Sequence, residues 1–435
     1  MTYDSTAKLI MEQALGSRTA MSMLTELSVG IGPRLSGSPN AQKAVEWGKA
    51  LMERLGFDNV HTEKVMVPHW VRNDTEECSI INSASLGTVP LTICTLGGSI
   101  AAPPGGITAE VVDVKSFDEL KALGDQAKGK IIFFNRPMDS KLFNTFEAYG
   151  GAVGQRSRGA VEAARVGGVA ALVRSMSTRI DDVPHTGAMN YNDSIPKIPT
   201  AAVSTLGADK LSDLLKKEKH VTLHLNVNSQ WLPDVESANV IGELKGTQYP
   251  DQVVVIGGHL DSWDKGRGAH DDGAGVIHSV EALRLIKELN LKPRRTIRVV
   301  LFMNEENGDR GGKAYAAADR PGEKQIAAIE SDAGGFTPRG FGVSADSLVY
   351  MKIASWANYF APLDADRITK GGGGTDIEPL GEKKVPMLGL RVDGQRYFDY
   401  HHSMSDVIDN VNERELELGA AAMAIMSYLI AQEGL

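Results

Sequence analysis

Cysteine is almost missing from this chain. Cys78 and Cys94 are the only two in 435 residues, which excludes a disulfide-built scaffold and a structural zinc site made of thiolates. The sequence leaves two states open for the pair, one disulfide or two buried thiols. An excess of positive charge is missing too. Lys and Arg number 46 against 55 Asp and Glu, a net charge of −9, and no basic block occurs. That balance excludes nucleic acid and anionic membrane surfaces as partners. No apolar run is long enough to span a bilayer. There is no internal repeat and no low-complexity tract beyond Gly371–Gly374. The opening residues Met-Thr-Tyr-Asp carry no basic or apolar leader region. The compartment therefore reads as cytoplasmic, or as secreted or periplasmic with a signal segment already removed.

What is present points to a globular protein of two domains. The length exceeds one ordinary core, and the composition, 42% hydrophobic and 23% charged, is that of a soluble chain. Residues 1 to about 30 read as helix. Ser38-Pro39 should cap and begin a helix with Ala44, Val45, Gly48, Leu51, Met52 and Leu55 on its apolar stripe and Gly56 just past its end. Val65–Val67 reads as a short strand. From about 72 to 232 glycine and proline are frequent and the strands are short, as in a mixed domain inserted into the chain. His185, His220 and His224 fall there without ligand spacing and read as structural. From about 233 strands and helices alternate. Val253–Ile256 and Ile297–Phe302 are apolar throughout, as expected of parallel strands covered on both faces. A helix should run from Gly275 to Leu289 and a last one from about Glu413 to Glu433.

The chemistry-bearing residues follow those strands. His259 lies just past the strand that ends at Gly258, Glu305 and Glu306 follow 297–302, and Asp332 follows 326–331. Three strand ends would thus present ligands to one crevice, where open α/β sheets bind ligands. Imidazole with hard carboxylates suits zinc or a similar divalent ion. Asp271 can offer one oxygen to each of two metals, and Gly273 and Gly275 allow a tight turn beside it. The doublet Glu305-Glu306 divides labour, one residue as ligand and the other as general base. Asp261 is expected to fix the His259 ring. Each piece alone has a plain reading: Asp-Asp-Gly as a turn, Glu-Glu as solvated surface. Their order and placement together carry the metal-site reading. His270 reads as a loop residue, His278 as structural, and His401 as a group that lines the site and stabilises an oxyanion. Arg267 and Arg391 are carboxylate-clamp candidates set against surface roles.

These residues resemble the co-catalytic zinc exopeptidases, a family that includes secreted bacterial aminopeptidases and glutamate carboxypeptidases. The resemblance spans nearly the whole chain. It is carried by Gly32-Pro33-Arg34-Leu35-Ser36-Gly37-Ser38, Val67-Pro68-His69-Trp70, Gly258-His259-Leu260-Asp261-Ser262-Trp263-Asp264, Glu330-Ser331-Asp332-Ala333-Gly334 and Gly374-Thr375-Asp376. It implies a zinc exopeptidase fold, α/β with a mixed, mostly parallel sheet and helices on both faces. It implies a discontinuous catalytic domain over 1–71 and 233–435, and an inserted protease-associated-type α+β domain over 72–232. It implies one ion on His259, Asp271 and Asp332, a second on Asp271, Glu306 and His402, and Glu305 as base. The family pattern selects Asp271 over Asp272 and His402 over His401. The implied cofactor is two Zn2+, with Co2+ or Mn2+ as alternatives. Gly374, Thr375 and Asp376 would form a flexible loop at the substrate's terminus. A branch of the family consists of homodimers that hydrolyse unblocked dipeptides, and this is the expected activity. An aminopeptidase of longer peptides is the rival. A single-zinc glutaminyl cyclase and a receptor-like binding module are disfavoured by the complete ligand set.

Overall fold

The computed structural model describes residues 2–435. Its strands in chain order are β1 (Asp58–Val71), β2 (Glu76–Ser83), β3 (Gly87–Pro90), β4 (Ile93–Thr95), β5 (Ile107–Val114), β6 (Ile131–Phe134), β7 (Ala170–Arg174) and β8 (Thr200–Val203). They continue with β9 (Thr222–Val227), β10 (Gln230–Leu244), β11 (Tyr249–His259), β12 (Arg295–Phe302), β13 (Lys324–Glu330), β14 (Pro338–Ser344), β15 (Arg367–Lys370) and β16 (Met387–Val392). The fold is mixed α/β, and the chain divides into two compact units. The larger holds residues up to Pro68, Asp234–Gly394 and Asp406–Leu435; the smaller holds His69–Pro233 and Gln395–Ser405.

The sheet of the larger unit runs β1-β10-β12-β11-β13-β16-β14-β15. Its centre, β12-β11-β13-β16, is parallel, while β10 runs antiparallel to β12 and β14 runs antiparallel to β16 but parallel to β15. The strands are apolar on both faces because both are covered. Val254, Ile256, Ile297, Val299 and Leu301 pack with the helices Gly275–Glu288 and Glu413–Glu433. Val253, Val255, Val300 and Phe302 point the other way, onto Tyr315, Ala316, Ile377 and Leu380. Register sets the site. His259 pairs with Phe302, and Gly257 with Glu330, so β11, β12 and β13 end at one level.

The smaller unit is built on the sheet β3-β2-β9-β5-β6-β7-β8-β4, with β5 to β8 parallel. Ile80, Val111, Phe133, Leu172, Leu211 and Leu223 form its core, and Cys78 and Cys94 are both buried in it. The segment Gln395–Ser405 belongs here. Gln395 Nε2 donates to the Phe143 carbonyl at 2.8 Å, Thr178 donates to Asp399 at 2.7 Å, and Tyr397 stacks on Phe146 at 5.1 Å.

Two local expectations change. The first thirty residues are not one helix: Tyr3–Leu15 ends at Gly16, Thr19–Thr25 follows, and a wide turn covers Glu26–Ile31. Ser17 starts the second piece by accepting the Thr19 N–H at 3.0 Å. The short strand expected at 65–67 is the end of the 14-residue β1, whose earlier residues expose one face to water. The expected helix Pro39–Arg54 is present, with the Ser38 hydroxyl accepting the Ala41 N–H at 3.2 Å and Gly56 in the left-handed region. Among the described residues no helix is long and apolar enough to cross a membrane.

Candidate metal centre

His259 ends β11 and is 1% exposed. Its Nδ1–H donates to the Asp261 carbonyl at 3.0 Å, which leaves Nε2 with its lone pair toward the acids. Nε2 lies 3.1 Å from Asp271 Oδ1, 3.7 Å from Asp332 Oδ1 and 3.8 Å from Glu305 Oε2. His259, Asp271 and Asp332 each offer a ligand atom, all within 4.8 Å of one another. Asp332 Oδ1 is buried and has no hydrogen-bond partner. A buried carboxylate oxygen left in that state is costly unless a cation meets it. The donor set therefore fits a divalent ion: one neutral imidazole nitrogen and hard carboxylate oxygens.

Asp271 sits in the turn Ala269–Ala274, where Asp271 (φ −115°, ψ 96°) and Asp272 (φ −119°, ψ 38°) leave helical geometry. The Asp271–Asp272 peptide bond is cis. The two neighbours face apart. Asp271 meets His259, whereas Asp272 accepts the His259 N–H and the Gly275 N–H, each at 3.0 Å. Asp272 thus ties the turn to β11 and to the helix that begins at Gly275. Gly275 allows this approach, because a Cβ there would stand 1.7 Å from the Ser331 carbonyl oxygen. Asp406 accepts the N–H groups of Ala269, His270 and Asp271 at 3.0, 2.7 and 3.1 Å. Arg34, with no exposure, donates to the carbonyls of Leu260, Arg267 and Gly268 at 2.6, 2.8 and 2.9 Å. His270 is not aimed at the acids. It stacks on Phe336 at 4.3 Å, accepts the Gly335 N–H and donates to the Asn410 carbonyl, each at 3.1 Å.

The glutamate doublet follows β12 through Asn304, whose φ is +77°. The Asp261 carboxylate accepts the N–H groups of Asn304, Glu305 and Glu306 at 2.7, 3.1 and 3.4 Å. This is a job added to the one read in the sequence, the fixing of the His259 ring. The Asp261 carbonyl orients His259, and the carboxylate, 3.8 Å from that ring, shapes the glutamate turn. Glu306 accepts the Trp263 N–H at 3.1 Å. Ser36 adds a brace, donating to Asn307 at 2.7 Å and accepting from Asn304 at 2.8 Å. Sequence reading missed Arg34, Ser36 and Asp406 as site residues. Arg34 and Ser36 stand in the Gly32–Ser38 motif, which was the available signal.

His401 and His402 belong to the smaller unit. Their rings stack at 3.5 Å, and His401 is enclosed by Tyr149, Tyr397 and Phe398 at 5.1 to 5.3 Å. His402 has φ +59°. Its carbonyl accepts the Thr186 N–H at 2.9 Å, and its Nδ1 lies 3.3 Å from the Thr186 carbonyl. His185 Nδ1 donates to the His401 carbonyl at 2.6 Å. Gly374 and Thr375 are half-buried. Asp376, the third residue expected at a substrate's terminus, is 1% exposed and feels the charge of the Glu330 carboxyl. Arg391 donates to the Gly371 carbonyl at 2.8 Å, and the Arg267 side chain is exposed.

Electrostatics favour a cation at the cluster. Burial opposes charge on His259, but Asp271, Asp332 and Glu305 outweigh it and lift the ring's pKa well above the usual value. Burial, with Asp332, Glu306 and Asp271 beside it, raises Glu305 well above the carboxylate range. Burial and Asp332 push Glu330 up to about 8, and burial with Glu330 raises Asp376 well above its usual value. This field would protonate an imidazole, and it draws a metal ion in the same way.

Known proteins resemble this chain over most of its length. The model of peptidase family M28 matches residues 239–427. Carboxypeptidase Q of Mus musculus is 37% identical over 433 residues, 99% of this chain and 90% of that protein. This chain belongs to peptidase family M28. M28 membership makes it a metallopeptidase, a peptide hydrolase. A peptidase M28 precursor from Shewanella amazonensis superposes with a TM-score of 0.94 at 36% identity, over 100% of this chain and 97% of that one. A zinc aminopeptidase from Bacillus subtilis shares the fold, with a TM-score of 0.68 at 19% identity over 95% of each chain. The span matched by the M28 model contains His259, Asp271, Glu305, Glu306, Asp332, His401 and His402.

Proposed function

We propose that this metallo-exopeptidase is a two-zinc enzyme that hydrolyses dipeptides or short peptides with free termini. The observation that carries the reading is the convergence of His259, Asp271 and Asp332 ligand atoms within 4.8 Å, with Glu305 3.8 Å from the same imidazole nitrogen. In this reading His259, Asp271 and Asp332 hold one ion. Asp271, Glu306 and His402 hold the other, His402 being assigned by its motif. Two divalent ions, when bound, supply Lewis acidity toward the scissile carbonyl and lower the pKa of water. Cobalt or manganese would satisfy the same donors.

Glu305 is the general base and acid. Its carboxylate takes the proton of the attacking water and returns it to the leaving amine. Asp261 holds the glutamate turn, so that Glu305 and Glu306 face their separate tasks. His401 stabilises the developing oxyanion. Gly374, Thr375 and Asp376 meet a substrate terminus. The smaller unit is a protease-associated-type domain, the enzyme works as a homodimer, and it acts outside the cytoplasm. The names of the relatives, carboxypeptidase Q among them, support an exopeptidase.

The test is hydrolysis of one dipeptide in free, N-acetylated and C-amidated forms by zinc-reconstituted protein. Cleavage of the free form alone supports the dipeptidase. Cleavage of the amidated form as well makes the enzyme an aminopeptidase, and of the acetylated form a carboxypeptidase. No cleavage of any form overturns the substrate class.

A further inference from the structure

The turn that carries Asp271 cannot satisfy its own backbone. Asp271 and Asp272 lie outside helical φ/ψ, so the N–H groups of Ala269, His270 and Asp271 need acceptors from elsewhere. All three find the one carboxylate of Asp406, two on Oδ1 and one on Oδ2. Asp406 is 3% exposed, and its carboxylate meets the backbone side of the turn. From the other side Arg34 grips the carbonyls of Leu260, Arg267 and Gly268. Those carbonyls span the chain between His259 and Asp271. The Arg267 N–H returns to the Asp406 carbonyl at 2.8 Å, which joins the two grips.

This arrangement answers a physical problem. Asp271, Asp332 and Glu305 crowd around one imidazole, and with no metal ion a bound proton offsets only part of their charge, so the repulsion that remains favours an open turn. A turn that opens must be closed again by the metal, and that cost appears as weaker binding. We infer that Asp406 and Arg34 are positioning residues that hold the Asp271 turn in its metal-binding shape before a metal arrives. The inference rests on the proposed metal site and deepens it.

The test uses full-length apo-protein and measures zinc affinity by competition with a chromophoric chelator. Asp406→Asn keeps the side-chain size but turns an N–H toward a backbone N–H. It should weaken zinc by about 10- to 100-fold, the range for groups that orient metal ligands. Arg34→Lys, which cannot reach three carbonyls at once, should weaken it in the same direction. Leu429→Ala, a buried position on the C-terminal helix away from the turn, serves as the control for general destabilisation. It should lower the thermal midpoint and leave zinc affinity unchanged. Wild-type affinity in both Asp406→Asn and Arg34→Lys overturns the inference. So does a loss in Leu429→Ala equal to that in Asp406→Asn, which would make the effect one of stability alone. Failure of the wild type to bind zinc overturns the metal reading itself, so the two failures are distinguishable.

Discussion

Glu305 and Glu306 are adjacent, yet the turn after β12 gives them different surroundings. Glu306 accepts the Trp263 N–H, while Glu305 stands 3.8 Å from His259 Nε2 among carboxylates. Glu305→Gln should therefore lower kcat by about 10² to 10⁴ with zinc content unchanged. Metal analysis of the purified variant beside its turnover checks this. Glu306→Gln should instead lose bound metal. Normal turnover by Glu305→Gln would remove it from the mechanism. The convergence of His259, Asp271, Glu305 and Asp332 was legible in the sequence because their chemistry lies in their side chains and most of them follow strand ends. Asp406 and Arg34 were not legible in the same way. They act on backbone N–H and C=O groups, which every residue has, so nothing in the residue type announces the partner. The burial of Asp376 was not legible, because a run of glycines reads as a surface loop. Here the glycines admit close packing instead: a Cβ at Gly374 would stand 2.0 Å from Glu330 Oε1.

At the scale of elements, the parallel strands β11, β12 and β13 end together, and the turns beyond them do the rest. Asp261→Ala would leave three backbone N–H groups of the glutamate turn without their acceptor. Buried donors left unmade cost about 1–3 kcal/mol each, so both kcat and zinc affinity should fall, by about 10-fold or more in affinity. Isothermal titration of the variant with zinc reads this; unchanged affinity would show that the turn holds its shape alone. A simpler element-level check is the cap of the helix Pro39–Arg54. Ser38→Ala should cost about 1 kcal/mol in denaturant titration and leave turnover untouched. That helix and the central strands were legible because a cap, a 3.6-residue stripe and apolar runs all agreed. The long β1 was less so. Its first half alternates exposed and partly buried polar residues, and only Val65–Val67 shows an apolar signal. The break at Gly16 was hidden by apolar residues that continue the helical stripe on either side of it.

Across the whole molecule, the change of texture near residues 72 and 232 falls close to the bounds of the segment His69–Pro233 in the smaller unit. The return of Gln395–Ser405 to that unit was not legible in the sequence, because its partners Phe143, Phe146 and Thr178 lie more than two hundred residues earlier. Acid sensitivity also belongs to this scale. Burial pushes His185 down to about 4 and His278 down to about 3, so both stay neutral in the fold. The unfolded chain binds their protons near pH 6.5. Their contribution is therefore fully present above about pH 6.5 and is lost as pH falls toward those lower values. The slope is up to about 1.4 kcal/mol per pH unit for each histidine. Urea titrations of wild type and His278→Gln between pH 7.5 and 5 check the sign. The wild type should lose stability more steeply, and equal slopes would contradict it. Zinc should act in the opposite sense, adding about 2.7 kcal/mol at a free concentration 100-fold above its Kd.

The most direct measurement is the rate of hydrolysis of an unblocked dipeptide as zinc is added to apo-protein in fractions of an equivalent. The account predicts turnover that rises with zinc and levels off at two equivalents per chain. A plateau at one equivalent would contradict the two-ion site. Absence of turnover at any zinc content, with the metal bound, would contradict the proposed peptidase substrate.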